Sequence, residues 1–541
     1  MNEFHDHEDL NLDGSRFAEL SDLDECTEVS YVDDDGDKVA GISACVHTDS
    51  EGYVTGALID GTVTNSIIVS ATGAGKTRRV LCPYVLSCVY AKESFVVHDP
   101  KGEIYGFMRD ILVKKGFEIK ILNFREPMKG HRFNVLQEAA ELYQKGKTGR
   151  GLEIANGVAE TIFFPIEDSS DRFWTQSACN LFCCYFGVAC SLYEAKDVSL
   201  STIYRLHIEG SERSGSVMKI ISYLEMNKNE PFYPLGMSTF NEPDKTRESI
   251  FCVFSNGLSR VILNDEIQDM TRRSSFNVRD MVKKPMAIFV ITRDEEPKTY
   301  STLVSSIIYS VYTTLIDLCT TKYWQRLPKN VHFILEEFGN MSPLEGVNNI
   351  LTGARSRGIK VVMVVQSLCQ LKQIYKPQLA KVLIGNSQNL IYMYSTDIEL
   401  VELISERCGN TTNQYTNKPR RLMSTDRLAH LKKDKALMLL GRNYAYVATL
   451  PDLSKYKMIV PTENVRIPTR KRLKIEYGLL SKKLEEIQDK KINALINEAK
   501  KDNDHNEEKN KGTDHELSRE EMLKIPTHIQ QLMREVLEVL E

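Results

Sequence analysis

The stretch VTNSIIVSATGAGKTRRVL, residues 63–81, restricts the fold more than any other part of the chain. Ile67, Ile68 and Val69 form a short β-branched run, a loop of small residues follows, and Gly75-Lys76-Thr77 opens a helical pattern. Strand, loop and helix in that order are what a nucleoside triphosphate requires. Loop N–H groups then converge on phosphate oxygens, and the helix N-terminus adds partial positive charge. Ala71, Thr72, Gly73, Ala74, Gly75, Lys76 and Thr77 are therefore the expected nucleotide cradle. Lys76 is placed to reach the β- and γ-phosphates, and the Thr77 hydroxyl to ligate Mg2+. The full pattern begins with glycine where this chain has Ser70, so the first turn must form without a free φ. The alternative, a glycine-rich turn that binds nothing, fits poorly with a string set between a strand and a helix.

The 541 residues are enough for two or three domains, at roughly 100–200 residues each. A hydrophobic content of 42% and a charged content of 26% are those of an ordinary globular protein. No run approaches the roughly 18 apolar residues of a membrane span. The most apolar window, LFCCYFGVACSLY at 181–193, reads as a buried helix. Glu3, Asp6, Glu8 and Asp9 rule out a secretory signal in the first ten residues, and the expected location is cytoplasmic. The 12 cysteines include no Cys-x-x-Cys pair, and Cys179, Cys183, Cys184 and Cys190 lie on or beside the apolar window. They read as small buried hydrophobes in a reducing compartment, not as zinc ligands or disulfides. The acidic turn at 33–37 misses the calcium-loop pattern because Lys38 stands where glycine is required. Charge is unevenly spread: residues 1–60 carry −15 against −5 for the whole chain, which leaves +10 on the remainder. A mildly basic body suits a polyanionic partner.

Residues 28–46 read as a hairpin, VSYV and DKVAGISACV around the acidic turn. Beyond the phosphate loop, apolar runs alternate with helical patterns in the manner of a mainly parallel α/β sheet. The strands expected are SFVVHD (94–99), EIKILNF (118–124), PMAIFVIT (285–292), VHFILEE (331–337), KVVMVVQS (360–367), NLIYMYS (389–395), KALMLLG (435–441) and YAYVATL (444–450). A mostly helical stretch interrupts them. The expected organisation is an acidic N-terminal segment (1–60), a nucleotide-binding motor in two pieces (61–138 and 276–468), an inserted all-α domain (139–275) and a charged helical tail (469–541) with a polar run at 500–516.

The second strong signal is FILEEFG, 333–339, an apolar strand ending in two acids. In a phosphate-loop ATPase the first acid holds the Mg2+ shell and the second polarises the attacking water, which makes Glu336 the metal residue and Glu337 the general base. Glu336 is one methylene longer than the usual aspartate. Arg355 and Arg357, in GARSRG, suit an arginine finger donated to a neighbouring protomer, and equally a basic turn on DNA phosphates. Gln366 ends its strand where a polar tip can sense the γ-phosphate or satisfy buried backbone groups. Asp99-Pro100-Lys101-Gly102-Glu103 makes a turn at the sheet edge where ligands sit in such folds.

Taken with VVHDPKGEIYG, FNVL, DRFWTQSA, FILEEFGNMSPL, ARSRGIKVVMVVQSLCQL and ISERCGNTT, these motifs resemble the type IV secretion coupling proteins, the conjugative DNA-transfer ATPases. GSRFAELSDLDE at 14–25 is similar to the segment that precedes the motor in Gram-positive members, and the resemblance extends over about residues 14–460. It implies a RecA-like P-loop motor with an all-α insert, a homo-hexameric ring, and ATP and Mg2+ as cofactors. It implies a relaxase-bound single strand of DNA as cargo and the secretion channel as partner. It assigns Lys76 and Thr77 to nucleotide and metal, Glu336 and Glu337 to hydrolysis, and Arg355 or Arg357 to activation in trans. The family's N-terminal transmembrane hairpin is not found in this sequence, so attachment to the inner face of the membrane is expected only through a partner protein. The rival expectations are an export ATPase for protein substrates alone and a docking adaptor that does not hydrolyse ATP.

Overall fold

Alternating burial builds the central sheet. In the strand Val331–Leu335, Val331, Phe333 and Leu335 join one hydrophobic layer while Ile334 joins the other. Ile67 and Val69 against Ile68, and Val361, Met363 and Val365 against Val362 and Val364, divide in the same way. Side chains that alternate between two dry layers give continuous apolar strands covered on both faces. Each fully buried Val, Ile or Leu adds about 1.5–3 kcal/mol.

The computed structural model describes residues 15–490 apart from 24, 33–37, 164–171, 215–216, 263, 294–299, 324, 345, 413–417, 462–466, 475–476 and 488. The acidic stretch before residue 15, the turn at 33–37, the polar run at 500–516 and the last amphipathic stretch lie outside the described residues. A small sheet comprises β1 (Cys26–Ser30), β2 (Ile42–Thr48) and β3 (Val54–Asp60). The large one comprises β4 (Ser66–Ser70), β5 (Ser94–His98), β6 (Glu118–Asn123), β7 (Met286–Ile291), β8 (Val331–Leu335), β9 (Ile359–Val365), β10 (Asn389–Tyr394), β11 (Lys435–Leu439) and β12 (Tyr446–Thr449). Its nine strands run in the order β12-β11-β10-β4-β9-β8-β5-β7-β6. All run parallel except β11, which pairs antiparallel with β10 on one side and with the edge strand β12 on the other.

The hairpin expected at 28–46 does not form. β1 and β2 do not pair with each other; both flank β3 in antiparallel register, Cys26↔Asp60 on one side and Ile42↔Asp60 on the other. Backbone packing favours this order. Gly56 of β3 lets β1 approach so closely that a Cβ there would lie 2.7 Å from the carbonyl oxygen of Val29. The hairpin lies one step later, with β2 and β3 joined through a turn in which Asp49 accepts from the N–H groups of Glu51 and Tyr53.

The helices α1 (Cys82–Ala91) and α2 (Glu103–Lys114) cover one face of the large sheet together with the small sheet. Between β6 and β7 runs a block of eight helices, α3 (Gln137–Gln144), α4 (Thr148–Phe163), α5 (Arg172–Leu192), α6 (Leu200–Ser211), α7 (Lys219–Met226), α8 (Phe232–Phe240), α9 (Asp244–Ile262) and α10 (Asp265–Arg272). The cysteine-rich segment sits in the middle of α5, with Cys179, Cys183, Cys184 and Cys190 all buried. The other face of the large sheet is covered by α11 (Ser301–Thr321), α12 (Val347–Arg357) and α13 (Leu368–Asn386), with α14 (Ile398–Arg407) following β10.

Among the described residues, α11 is the one helix long and apolar enough to cross a membrane, and 78% of its apolar window is buried inside the protein. Serines and threonines interrupt its apolar run. Their hydroxyls turn back onto carbonyls one turn earlier, Ser306 to Thr302 at 2.9 Å and Thr314 to Ser310 at 2.8 Å.

The segment assigned to the tail begins as a strap on the body. The Gly130 N–H donates to Pro468 O at 3.0 Å, Arg470 Nη1 donates to His131 O at 2.9 Å, and the Leu473 N–H donates to Asp269 Oδ1 at 2.8 Å. Leu480 and Leu484 are buried in the helical block's core. The strap therefore crosses the place where the chain enters and leaves the helical block.

Candidate active site

Strand order explains which side chains meet. The loop after β4 carries Lys76 and Thr77, the end of β8 leads into Glu336 and Glu337, and β9, between them, leads into Gln366. All three are parallel, so their C-terminal ends open onto one edge. A cleft of about 660 Å3 lies there, lined by Thr72, Gly73, Gly75, Lys76 and Thr77 on one side and by Glu336, Glu337 and Asn340 on the other.

Gly73 and Gly75 take φ of +81° and +91°, which a side chain would oppose. Ser70 takes no such angle; it is the buried last residue of β4, so its replacement of glycine leaves the loop intact. Ala71 and Ala74 shape the loop and do not line the cleft: the Ala71 N–H donates to Tyr394 O at 2.8 Å, and Ala74 packs on the core. The N–H groups of Gly73, Gly75 and Lys76 have no acceptor among the described residues. Converging donors without protein partners fit a bound triphosphate.

Thr77 Oγ1 donates to Glu336 Oε1 at 3.0 Å, and Lys76 Nζ stands 3.7 Å from the same oxygen. A hydroxyl and a carboxylate oxygen at that spacing match the hard donor set that Mg2+ takes beside a phosphate. Burial raises the Glu336 carboxyl above its ordinary range, with Lys76 and Thr77 acting against the shift. Glu337 is the most constrained acid. Lys76 Nζ donates to its Oε1, while Gln366 Nε2 at 2.6 Å and Asn340 Nδ2 at 2.9 Å donate to Oε2. Its backbone has φ +58°, a left-handed conformation rare outside glycine. Such strain persists where surrounding contacts enforce it, most often at working sites. Thr72 Oγ1 approaches Gln366 Oε1 at 3.4 Å, joining the phosphate loop to the strand tip.

Behind the acids, burial lowers the His98 pKa to about 4, so the ring is neutral. Its Nδ1–H donates to Glu336 O at 2.6 Å and fixes that backbone. Asp99 is fully buried; burial first, and the Glu336 charge second, push its carboxyl up to about 7. Its Oδ2 accepts from the Tyr105 N–H at 2.9 Å, while Oδ1 has no partner. Of the Asp99–Glu103 turn, Pro100, Lys101 and Glu103 line the cleft. The sequence did not point to Asn340, to Lys433, which lines the cleft, or to the Arg78–Asp452 pair at its rim, with contacts of 2.9 and 2.6 Å. The rim pair joins residues on opposite sides of a long sequence gap, and no local pattern announces it.

Arg355 and Arg357 are not in this cleft. They end α12, which enters β9 at its N-terminal end, so the seven residues of β9 separate them from Gln366. At about 3.3 Å per residue that is roughly 20 Å. Arg355 is exposed, and Arg357 Nη1 donates to Gln325 O at 3.1 Å.

A parallel sheet with its phosphate loop, acid pair and glutamine on neighbouring strands defines a P-loop nucleotide-binding protein of RecA-like build. A family model described as type IV secretory system conjugative DNA transfer matches residues 27–443, and the chain belongs to that family. VirD4 of Agrobacterium fabrum is 21% identical over 363 residues, covering 66% of this chain and 51% of that protein. The type IV secretion system-coupling protein VirD4 of Bartonella quintana is 23% identical over 370 residues, covering 66% and 55%. The chain thus spans about half the length of these relatives. Among solved structures, the conjugative coupling protein TrwBdeltaN70 superposes with a TM-score of 0.59 at 14% identity, covering 83% of this chain and 96% of that one. TrwB in complex with ADP and Mg2+ gives the same TM-score and identity over 85% of this chain and 96% of that one. TrwB has also been solved with the ATP analogue ADPNP.

Proposed function

We propose that the chain is the ATP-hydrolysing motor of a type IV secretion coupling protein, drawing a relaxase-bound single strand of DNA toward the secretion channel. The observation that carries this reading is Glu337, a strained carboxylate shared among Lys76, Asn340 and Gln366 and set across the cleft from the phosphate cradle. Bound Mg2+–ATP supplies the phosphoryl group and the metal charge that polarises it. The chain's residues do the rest. The amides of Gly73, Gly75 and Lys76 and the Lys76 ammonium hold phosphate oxygens, and Thr77 and Glu336 hold the metal shell. Glu337, released from Lys76 when that ammonium turns to phosphate, orients a water and takes its proton. Gln366 links the phosphate loop to Glu337. That TrwB binds ADPNP, and ADP with Mg2+, supports ATP and Mg2+ as the cofactors here.

The motor comprises residues 61–138 and 276–468, the all-α insert residues 139–275, and the tail residues 469–541. The distance of Arg355 and Arg357 from their own cleft fits action on a neighbouring copy in a homo-hexamer. Family membership favours work at the inner face of the membrane, with a partner protein as the attachment and the secretion channel as the recipient.

ATP hydrolysis with and without single-stranded DNA, beside Lys76→Ala and Glu337→Gln, tests the proposal. Stimulation by DNA that both substitutions abolish is the expected result. Hydrolysis indifferent to DNA would favour export of protein substrates alone, and its complete absence would favour a docking adaptor.

A further inference from the structure

Glu337 has two carboxylate oxygens in different company. Among the described residues Oε1 meets only the Lys76 ammonium, the group a triphosphate draws toward itself. Oε2 accepts from two neutral amides, Gln366 Nε2 at 2.6 Å and Asn340 Nδ2 at 2.9 Å, which have no such reason to leave. The terminal torsion of a glutamate is broad, so a carboxylate held at one oxygen by one donor would swing and exchange its oxygens. Two donors on one oxygen fix the plane and leave the other to face the cleft.

Asn340 is built for this. It ends the single 3-10 turn Phe338–Asn340 that Glu337 opens, and its N–H donates to Glu337 O at 2.8 Å. The same residue thus holds Glu337 by backbone and by side chain, against the strain of a φ of +58°. Its side chain is exposed, lines the cleft and makes no other hydrogen bond among the described residues, so the fold does not depend on it.

We infer that Asn340 is a positioning residue for hydrolysis: its side-chain amide holds Glu337 Oε2 so that Oε1 becomes the oxygen that takes the water's proton. The inference rests on the proposed role of Glu337 as general base.

The test compares Asn340→Ala and Asn340→Asp in the full chain, measuring Mg2+–ATP affinity, kcat and melting temperature, with Glu337→Gln alongside. Removing a residue that orients a catalytic group costs on the order of 10- to 100-fold, so kcat should fall by about that much in Asn340→Ala. Affinity and melting temperature should stay at wild-type values. Asn340→Asp should fall further, because an isosteric carboxylate would then face the Glu337 carboxylate. A residue that merely shapes the turn would show the opposite order, since aspartate keeps the shape that alanine loses. Wild-type kcat in both variants beside an inactive Glu337→Gln would overturn the inference and leave the general base in place. A loss of affinity that accounts for the lost turnover would also overturn it. An active Glu337→Gln would overturn the general base itself, and this inference with it.

Discussion

The two edges of the large sheet bury polar groups in different ways. At the N-terminal ends of the parallel strands the buried His332 and Lys360 are paired, although Asn65 Oδ1 has no partner among the described residues. His332 is fully buried between Tyr84 Oη at 2.8 Å and Glu93 Oε2 at 2.6 Å. Lys360, 2% exposed, donates to Ala40 O at 2.5 Å and Gly61 O at 2.8 Å, tying the small sheet to the large one. At the C-terminal ends, Glu337 is strained, Asp99 keeps an orphan oxygen, and loop amides wait without acceptors. Buried polar groups that are satisfied hold a fold together, whereas those left short mark a place where a ligand completes the set. The difference separates stability from function on one sheet.

Lys76→Ala should break the comparison hardest. The cleft loses its phosphate cation, and turnover should fall on the order of 10²- to 10³-fold, with ATP binding lost in a filter or fluorescence assay. Asp99→Asn comes next and sharpens it. Because the Asp99 pKa is raised from 3.8 to about 7, the folded chain keeps a proton that the unfolded chain has released. Its contribution to stability is present below pH 3.8 and is lost as pH rises to about 7, at about 1.4 kcal/mol per pH unit. Melting curves in Mg2+-free buffer should therefore show the variant gaining on the wild type from pH 5 to pH 7, then holding level. At the other edge, Lys360→Met leaves two buried carbonyls unpaired and should cost about 1–3 kcal/mol in denaturant titrations, with kcat per folded molecule unchanged. The smallest effect is expected from Ser70→Gly. It restores the usual motif where no left-handed angle is needed, so turnover should stay the same and stability drop by about 0.5–1 kcal/mol.

The edge that carries function was the more legible one in the sequence. Phosphate loops, acid pairs and strand tips are local strings, and the sheet brings Lys76, Thr77, Glu336, Glu337 and Gln366 together much as their strands suggest. What escaped depends on contacts between distant segments. Adjacent strands 26–30 and 42–48 invite pairing, yet both pair with β3, where Gly56 gives β1 a close approach. Asn340 carries no signal of its own in the sequence, because its contact with Glu337 follows from the left-handed turn there. The strap at 467–487 carries many charges, and in the sequence its part from 469 on read as the start of a charged helical tail. Among its neighbours are buried Asp269 and the core around Leu480, partners visible only in three dimensions.

The measurement that bears most directly on the account is paired turnover and melting of one Glu337→Gln sample with Mg2+–ATP and single-stranded DNA. The account requires wild-type nucleotide binding, a cooperatively melting sample, and turnover lower by about 10²- to 10⁴-fold. Turnover at the wild-type rate from a folded sample would contradict it.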